Sequence, residues 1–206
     1  MKKIELSDIK NILEYERERE EFRDRIIRIK KDRRISVGDL ITFVLENRDT
    51  VLFQIQEMVR AERIVDPAKI QDEIDVYNEL LPAKRELSAT LFIEITESSE
   101  IRPTLERLLG LTRPGTVGLE VGKRHRIDGV IEGGREEEAA GRLAAVQYVK
   151  FHLSEEALES FLSIDEPIFL VVEHPNYKAR AQVAGNLLAA LKADFNREPD
   201  MTGRLK

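Results

Sequence analysis

Apolar positions recur at helical spacing through the first third of the chain and then mostly at strand spacing. Ile9, Ile12 and Leu13 make one stripe and Phe22, Ile26 and Ile29 another, with the highly charged run Glu14–Glu21 between them. Ser7 and Asp8 read as a helix start, a capping hydroxyl followed by an acid in the first turn. The pattern predicts two helices, or one bent helix, over about 8–32, with the charged middle as a wet surface. Ile35–Gly38 and Leu40–Leu45 read as strands around a Gly38-Asp39 turn.

Two further helices follow. In Asn47–Ile64, residues Val51, Leu52, Ile55, Met58 and Val59 fall on one side, with Glu62 in their midst. A carboxylate there has to sit at a fraying end, pair with a cation or serve a function. Asp49, Phe53, Gln56, Arg60 and Arg63 line the opposite side, flanked by Glu57. Phe53 among them implies that this side is covered as well, which would leave the helix sandwiched. Asp66-Pro67 starts the next helix. Its stripe is Ile70, Ile74, Tyr77 and Leu81, with Gln71, Asp75 and Asn78 on one flank and Pro82 as the stop.

From here alternation dominates. Leu87–Thr96 puts Leu91, Ile93 and Ile95 on one face. Ser98 or Ser99 opens a helix to about Leu109, closed by Gly110. Thr116–Val121 and Arg124–Ile131 read as a hairpin, and 132–141 as a glycine-rich acidic loop. Arg142–Leu153 sets Val149, Phe151 and Leu153 against Tyr148, Lys150 and His152. Ser154 caps a short helix. Ile168–Glu173 reads as a buried strand, after which His174-Pro175-Asn176-Tyr177 turns into a C-terminal helix with the stripe Ala181, Ala184, Leu188, Leu191 and Phe195. The fold class is α+β, a mostly antiparallel sheet packed by helices. The expected organisation is one domain over 1–206, with a helical N-terminal portion over 1–34 and a frayed tail over 196–206.

Composition narrows the function. The 206 residues are 42% hydrophobic and 35% charged, with a net charge of -6. That balance argues against a general nucleic-acid binder. The basic run Lys30, Lys31, Arg33 and Arg34 reads as a solvated helix end. With no cysteine, thiol nucleophiles, disulfides and thiolate-held clusters are excluded for this chain. No apolar run suits a membrane span and the start lacks a secretory h-region, so a cytoplasmic protein is expected. No common nucleotide fingerprint, HExxH or GxSxG occurs, and none of the three histidines follows the Glu-x-x-His pattern. No metal ligands and no cofactor are expected. His152 reads as solvated, and His125, between two arginines, is a poor ligand. His174, at a strand end, is either a ligand residue or a turn hydrogen bond.

The candidate ligand or partner surface therefore lies on the two central helices: Asp49, Gln54, Gln56, Glu57, Arg60, Glu62, Arg63, Gln71 and Asp75, together with His174. Intrahelical ion pairs would account for many of these charges. They would not account for the glutamines, which fix geometry as donors and acceptors when half-buried.

These same residues resemble a bacterial family, domain of unknown function 3501. The similarity is carried by EFRDRIIRIKKDRR (21–34), ENRDTVLFQIQEMVRAERI (46–64), IQDEIDVYNELLP (70–82), ATLFIEI (89–95), AAVQYVKF (144–151) and EHPNY (173–177). This chain has Gln147 where the family often has histidine, which weakens any metal site built through that position, and Glu20 where the family often has proline. The resemblance implies no activity. It implies genomic company, a rubrerythrin-like di-iron protein and an iron–sulfur oxidoreductase, and hence a role in peroxide or oxidative-stress electron transfer. The expected function is an accessory or binding protein working with those partners. The alternative is an enzyme or a small-ligand binder, for a carboxylate, phosphate or metal, with a polar pocket between the central helices and the sheet. A homo-oligomer through the two-helix unit is a third possibility.

Overall fold

A computed structural model describes residues 1–131, 141–163 and 167–196. The stretch expected as an acidic loop falls outside these residues except for Gly141, as does the tail beyond Asn196.

Among the described residues eight strands form one antiparallel sheet: β1 (Arg34–Val37), β2 (Ile41–Leu45), β3 (Glu86–Ile93), β4 (Val117–Val121), β5 (His125–Ile131), β6 (Val146–His152), β7 (Ile168–His174) and β8 (Tyr177–Val183). Their spatial order is β1-β2-β3-β6-β5-β4-β7-β8, and the sheet curls until β8 lies beside β1. Alternate side chains point inward. Phe43, Leu91, Leu119, Phe151 and Val172 meet there in one apolar core. Two helices add to it, α5 (Glu155–Leu162) through Phe161 and α6 (Gly185–Asn196) through Leu187 and Leu191.

The near-barrel is not laddered shut. Tyr177 bridges one end of the seam: its hydroxyl donates to the Val37 carbonyl at 2.6 Å and accepts from the Leu40 amide at 3.1 Å. Gly38 makes room for that bridge. Its φ is +76°, and a Cβ there would run into the Tyr177 hydroxyl. Tyr177→Phe is expected to lower stability by about 1–3 kcal/mol, because a seam carbonyl and amide lose their partner. An unchanged urea midpoint would show that the seam is held elsewhere.

The helices before and within the first strands form a second body. They are α1 (Ile12–Lys31), α2 (Arg48–Ala61) and α3 (Pro67–Asn78). Ile4, Val51, Ile55, Val59, Ile74, Leu80 and Leu81 make a separate apolar cluster between the N-terminal segment, α2 and α3. The other side of α2 lies under α1, where Phe22 meets Phe53 edge to face at 5.7 Å. The phenylalanine on the polar side of α2 is explained by that contact. A last short helix, α4 (Ile101–Arg107), precedes β4.

Several expectations change. The first helix is continuous, and Asn11 caps it by accepting from the Glu14 amide. Ser7 and Asp8 belong instead to a preceding 3-10 turn, Leu6–Asp8. The charged stretch of α1 is not wholly wet, since Tyr15 is fully buried. Nor is the basic run one solvated end, since Arg33 is buried and paired with Asp194. The expected C-terminal helix begins only at Gly185. Residues 177–183 form β8, with Lys178, Arg180 and Gln182 exposed and Val183 buried. Alanines at 179 and 181 suit either structure; hairpin pairing with β7 decides for strand. No helix among the described residues is long and apolar enough to cross a membrane.

Candidate functional site

The α2 part of the surface nominated from the sequence, Asp49, Gln56, Glu57 and Arg60, is engaged with α1 and the N-terminal segment. Gln56 is 2% exposed and clamps the N-terminal segment. Its Oε1 accepts from the Lys10 amide and its Nε2 donates to the Lys10 carbonyl, both at 2.9 Å. Glu57 accepts from Arg19 Nε and Nη2 at 2.8 Å each and from the Tyr15 hydroxyl at 2.7 Å. Arg60 Nε donates to Glu16 at 2.8 Å, and Asp49 lies 3.8 Å from Arg25. Gln54 is half-buried on the same helix.

The remaining nominees lie apart from these. Glu62 is exposed just past the last turn of α2, so its place on the apolar side reflects a helix end. Arg63 is exposed with φ +53°. Gln71 donates to Asp75 at 2.8 Å on the outside of α3. His174 sits in the β7–β8 turn, buried. Its Nδ1 accepts from the Asn176 amide at 3.2 Å, so Nε2 donates to the Leu109 carbonyl at 2.9 Å. Nε2 thus ties the segment just after α4 to the turn, and Nδ1 braces the turn itself. The hairpin replaces the helix entrance expected there.

The bonds of Glu57 have an electrostatic consequence. The two-pronged contact from Arg19 holds its carboxyl below the usual range, helped by the Tyr15 hydroxyl and opposed by burial. Burial, then the bond to Glu57, pushes the Tyr15 phenol up. A depressed carboxyl stabilises the fold above its unfolded pKa, near 4.5, and loses that contribution as the pH falls through the lower folded value. Urea midpoints followed from about pH 6 to about pH 3 should therefore fall more steeply in the natural chain than in Glu57→Gln. Parallel curves would contradict the assignment.

Sequence reasoning missed a buried carboxylate at the joint between the two bodies. Glu46, 3% exposed, directly follows β2 and accepts from the hydroxyls of Thr50 on α2 and Thr90 on β3, the latter at 2.6 Å. Its signal was an acid directly following five strand residues, at the last position before the α2 cap.

Two recesses flank the helical body. One, of about 280 Å³, lies between α1 and α2, with Phe22, Leu52 and Gln56 in its lining. The larger, about 410 Å³, lies between α3 and the outer face of β3, β6 and β5. Its apolar lining includes Val76, Leu80 and Val130, and its polar lining includes Tyr77, Ser88, Tyr148 and Lys150. Strand register explains the floor. Ser88 is paired across from Lys150, and Lys150 across from Val130, so the three form one outward row, with Tyr148 one pleat along. Val76, Val130, Val146 and Tyr148 are exposed apolar side chains on these same elements. Among the described residues, the hydroxyls of Ser88, Tyr77 and Tyr148 have no hydrogen-bond partner and Lys150 has no ion pair. Burial raises the Tyr77 phenol, with Tyr148, Glu73 and Glu62 adding to the shift. The hint in the sequence was Tyr148, an aromatic beside Lys150 and His152 on the outward face of its strand.

The family model "Protein of unknown function (DUF3501)" matches residues 3–195. The chain belongs to this family. A solved structure, a novel protein of unknown function from Burkholderia pseudomallei K96243, is similar to this DUF3501 chain at 27% identity. Its TM-score is 0.85, and the match covers 94% of this chain and 99% of that one. No curated protein matches. In this DUF3501 chain Gln147 is buried and donates to the Ala144 carbonyl at 3.0 Å. Among the described residues no three His, Cys, Asp or Glu side chains are placed to share a metal ion.

Proposed function

We propose that the protein works by binding, and that the cleft between α3 and the β3–β6–β5 face is where it binds. The observation carrying this is a recess of about 410 Å³ whose polar groups have no partner within the described residues. Its size lies in the range of ligand sites, and its walls mix apolar surface with a few convergent polar groups, as such sites do. Exposed Val76, Val130, Val146 and Tyr148 extend it into an apolar patch of the kind that marks interaction surfaces. The α1–α2 recess is the weaker candidate, because Gln56 there is already bonded to the chain itself.

The proposed role is that of a cytoplasmic accessory protein with no redox centre of its own. It would act beside a rubrerythrin-like di-iron protein and an iron–sulfur oxidoreductase, in peroxide or oxidative-stress electron transfer. The resemblance to the family supports those partners, and the cysteine-free chain suits a binding member better than a cluster carrier. Calorimetric titration with each purified partner tests it. Binding is expected to at least one and to be lost in Tyr148→Ala. No heat with either removes the partner assignment, and undiminished binding by the variant removes the cleft.

The second reading, a small-ligand binder, is favoured by the volume of the same recess. It keeps the expected position between a central helix and the sheet, although Tyr77, Ser88, Tyr148 and Lys150 line it rather than the residues nominated from the sequence.

A further inference from the structure

The cleft carries opposite charge on its two walls, and this bears on what it takes, provided that it is the binding site. Glu73 and Glu79 line it from the α3 side, and Lys150 lines it from β6. None of the three makes an ion pair among the described residues. Between them lie Val76, Leu80 and Val130, with the phenols of Tyr77 and Tyr148. Ser88 is 2% exposed, and its hydroxyl opens on the recess without a partner. A hydroxyl with no partner in the chain that opens only on a cleft is free to bond a ligand atom there. Ser88 and Lys150 are directly paired residues on one face, a spacing at which both can reach a single carboxylate.

We propose that the cleft binds a zwitterion with a large apolar body, of the class of free aromatic α-amino acids. The carboxylate meets Lys150 and the Ser88 hydroxyl, the ammonium meets Glu73 and Glu79, and the ring lies among the valines and tyrosines. A simple organic anion would leave two acids facing it, and a simple cation would face Lys150. Only a molecule carrying both charges answers both walls. Aromatic walls also favour the cation and the ring.

Titration calorimetry on the full chain, which contains no tryptophan, tests this with three probes: L-tryptophan, tryptamine (no carboxylate) and indole-3-propionate (no ammonium). L-Tryptophan should bind about ten-fold more tightly than either truncated probe. Lys150→Met should weaken L-tryptophan about ten-fold and leave tryptamine unchanged. The pair Glu73→Gln and Glu79→Gln should weaken L-tryptophan by a similar factor and leave indole-3-propionate unchanged. The anionic dye 8-anilinonaphthalene-1-sulfonate reports separately on the cleft as an apolar site.

If a truncated probe binds as tightly as L-tryptophan, or if neither variant changes its affinity, the zwitterion is overturned. So too if none of the three binds while the dye brightens with the natural chain and not with Tyr148→Ala; the cleft then survives as a binding site for something else. Silence from the dye as well removes both proposals.

Discussion

Arg33→Ala is expected to cost about 3–5 kcal/mol of folding stability, far more than a surface arginine would. Arg33 is 3% exposed, and its partner Asp194 is nearly as deep. Its Nε donates to the Leu45 carbonyl at 2.7 Å and its Nη2 to the Glu46 carbonyl at 3.3 Å. The guanidinium thus joins the end of β2, the start of β1 and the last turns of α6. Truncation leaves the Asp194 carboxylate buried without a counter-charge and two carbonyls without donors. The double variant Arg33→Met with Asp194→Leu should recover much of the loss, because it removes both charges and keeps the volume. Urea unfolding reads both. A loss below about 1 kcal/mol for Arg33→Ala would mean that the pair is solvated in solution.

Phe161→Ala is the second large effect, about 3–5 kcal/mol. Phe161 is fully buried on α5 and meets Phe195 of α6 edge to face at 5.4 Å. It belongs to the core inside the curled sheet, so truncation opens a cavity between the sheet and both helices. Since Arg33 also holds α6, the two variants should combine non-additively. Additive losses would show that α5 and α6 dock independently of the Asp194 latch.

The elements were readable where one physical signal dominated. Alternation placed β3 and β6 on the right faces, and Asp66-Pro67 marked the start of α3. Residues 177–183 read as the start of the C-terminal helix because their alternate alanines fit a helix as well as a strand, and only pairing with β7 separates the two. Arg33 looked solvated because a run of cations carries no sign of an aspartate 161 positions away. The reading of α2 as covered on both sides was sound, since Phe53 has no other reason to be there. The same reading pointed to Gln56 and Glu57 as a binding surface, whereas they spend their bonds on Lys10, Arg19 and Tyr15. A semi-buried polar side chain signals a partner, and the sequence does not tell whether that partner is a ligand or the chain itself. A pocket between the central helices and the sheet was expected, but its lining was not legible, because it needs α3 and three strands brought together by topology, with Ser88 and Lys150 aligned by register alone.

An NMR titration of backbone amides with 8-anilinonaphthalene-1-sulfonate tests the cleft most directly. The account predicts that shifts concentrate at Tyr77, Ser88, Val130, Tyr148 and Lys150, and that Tyr148→Ala abolishes them. Shifts centred instead on Phe22, Leu52 and Gln56, in the recess between α1 and α2, would contradict it.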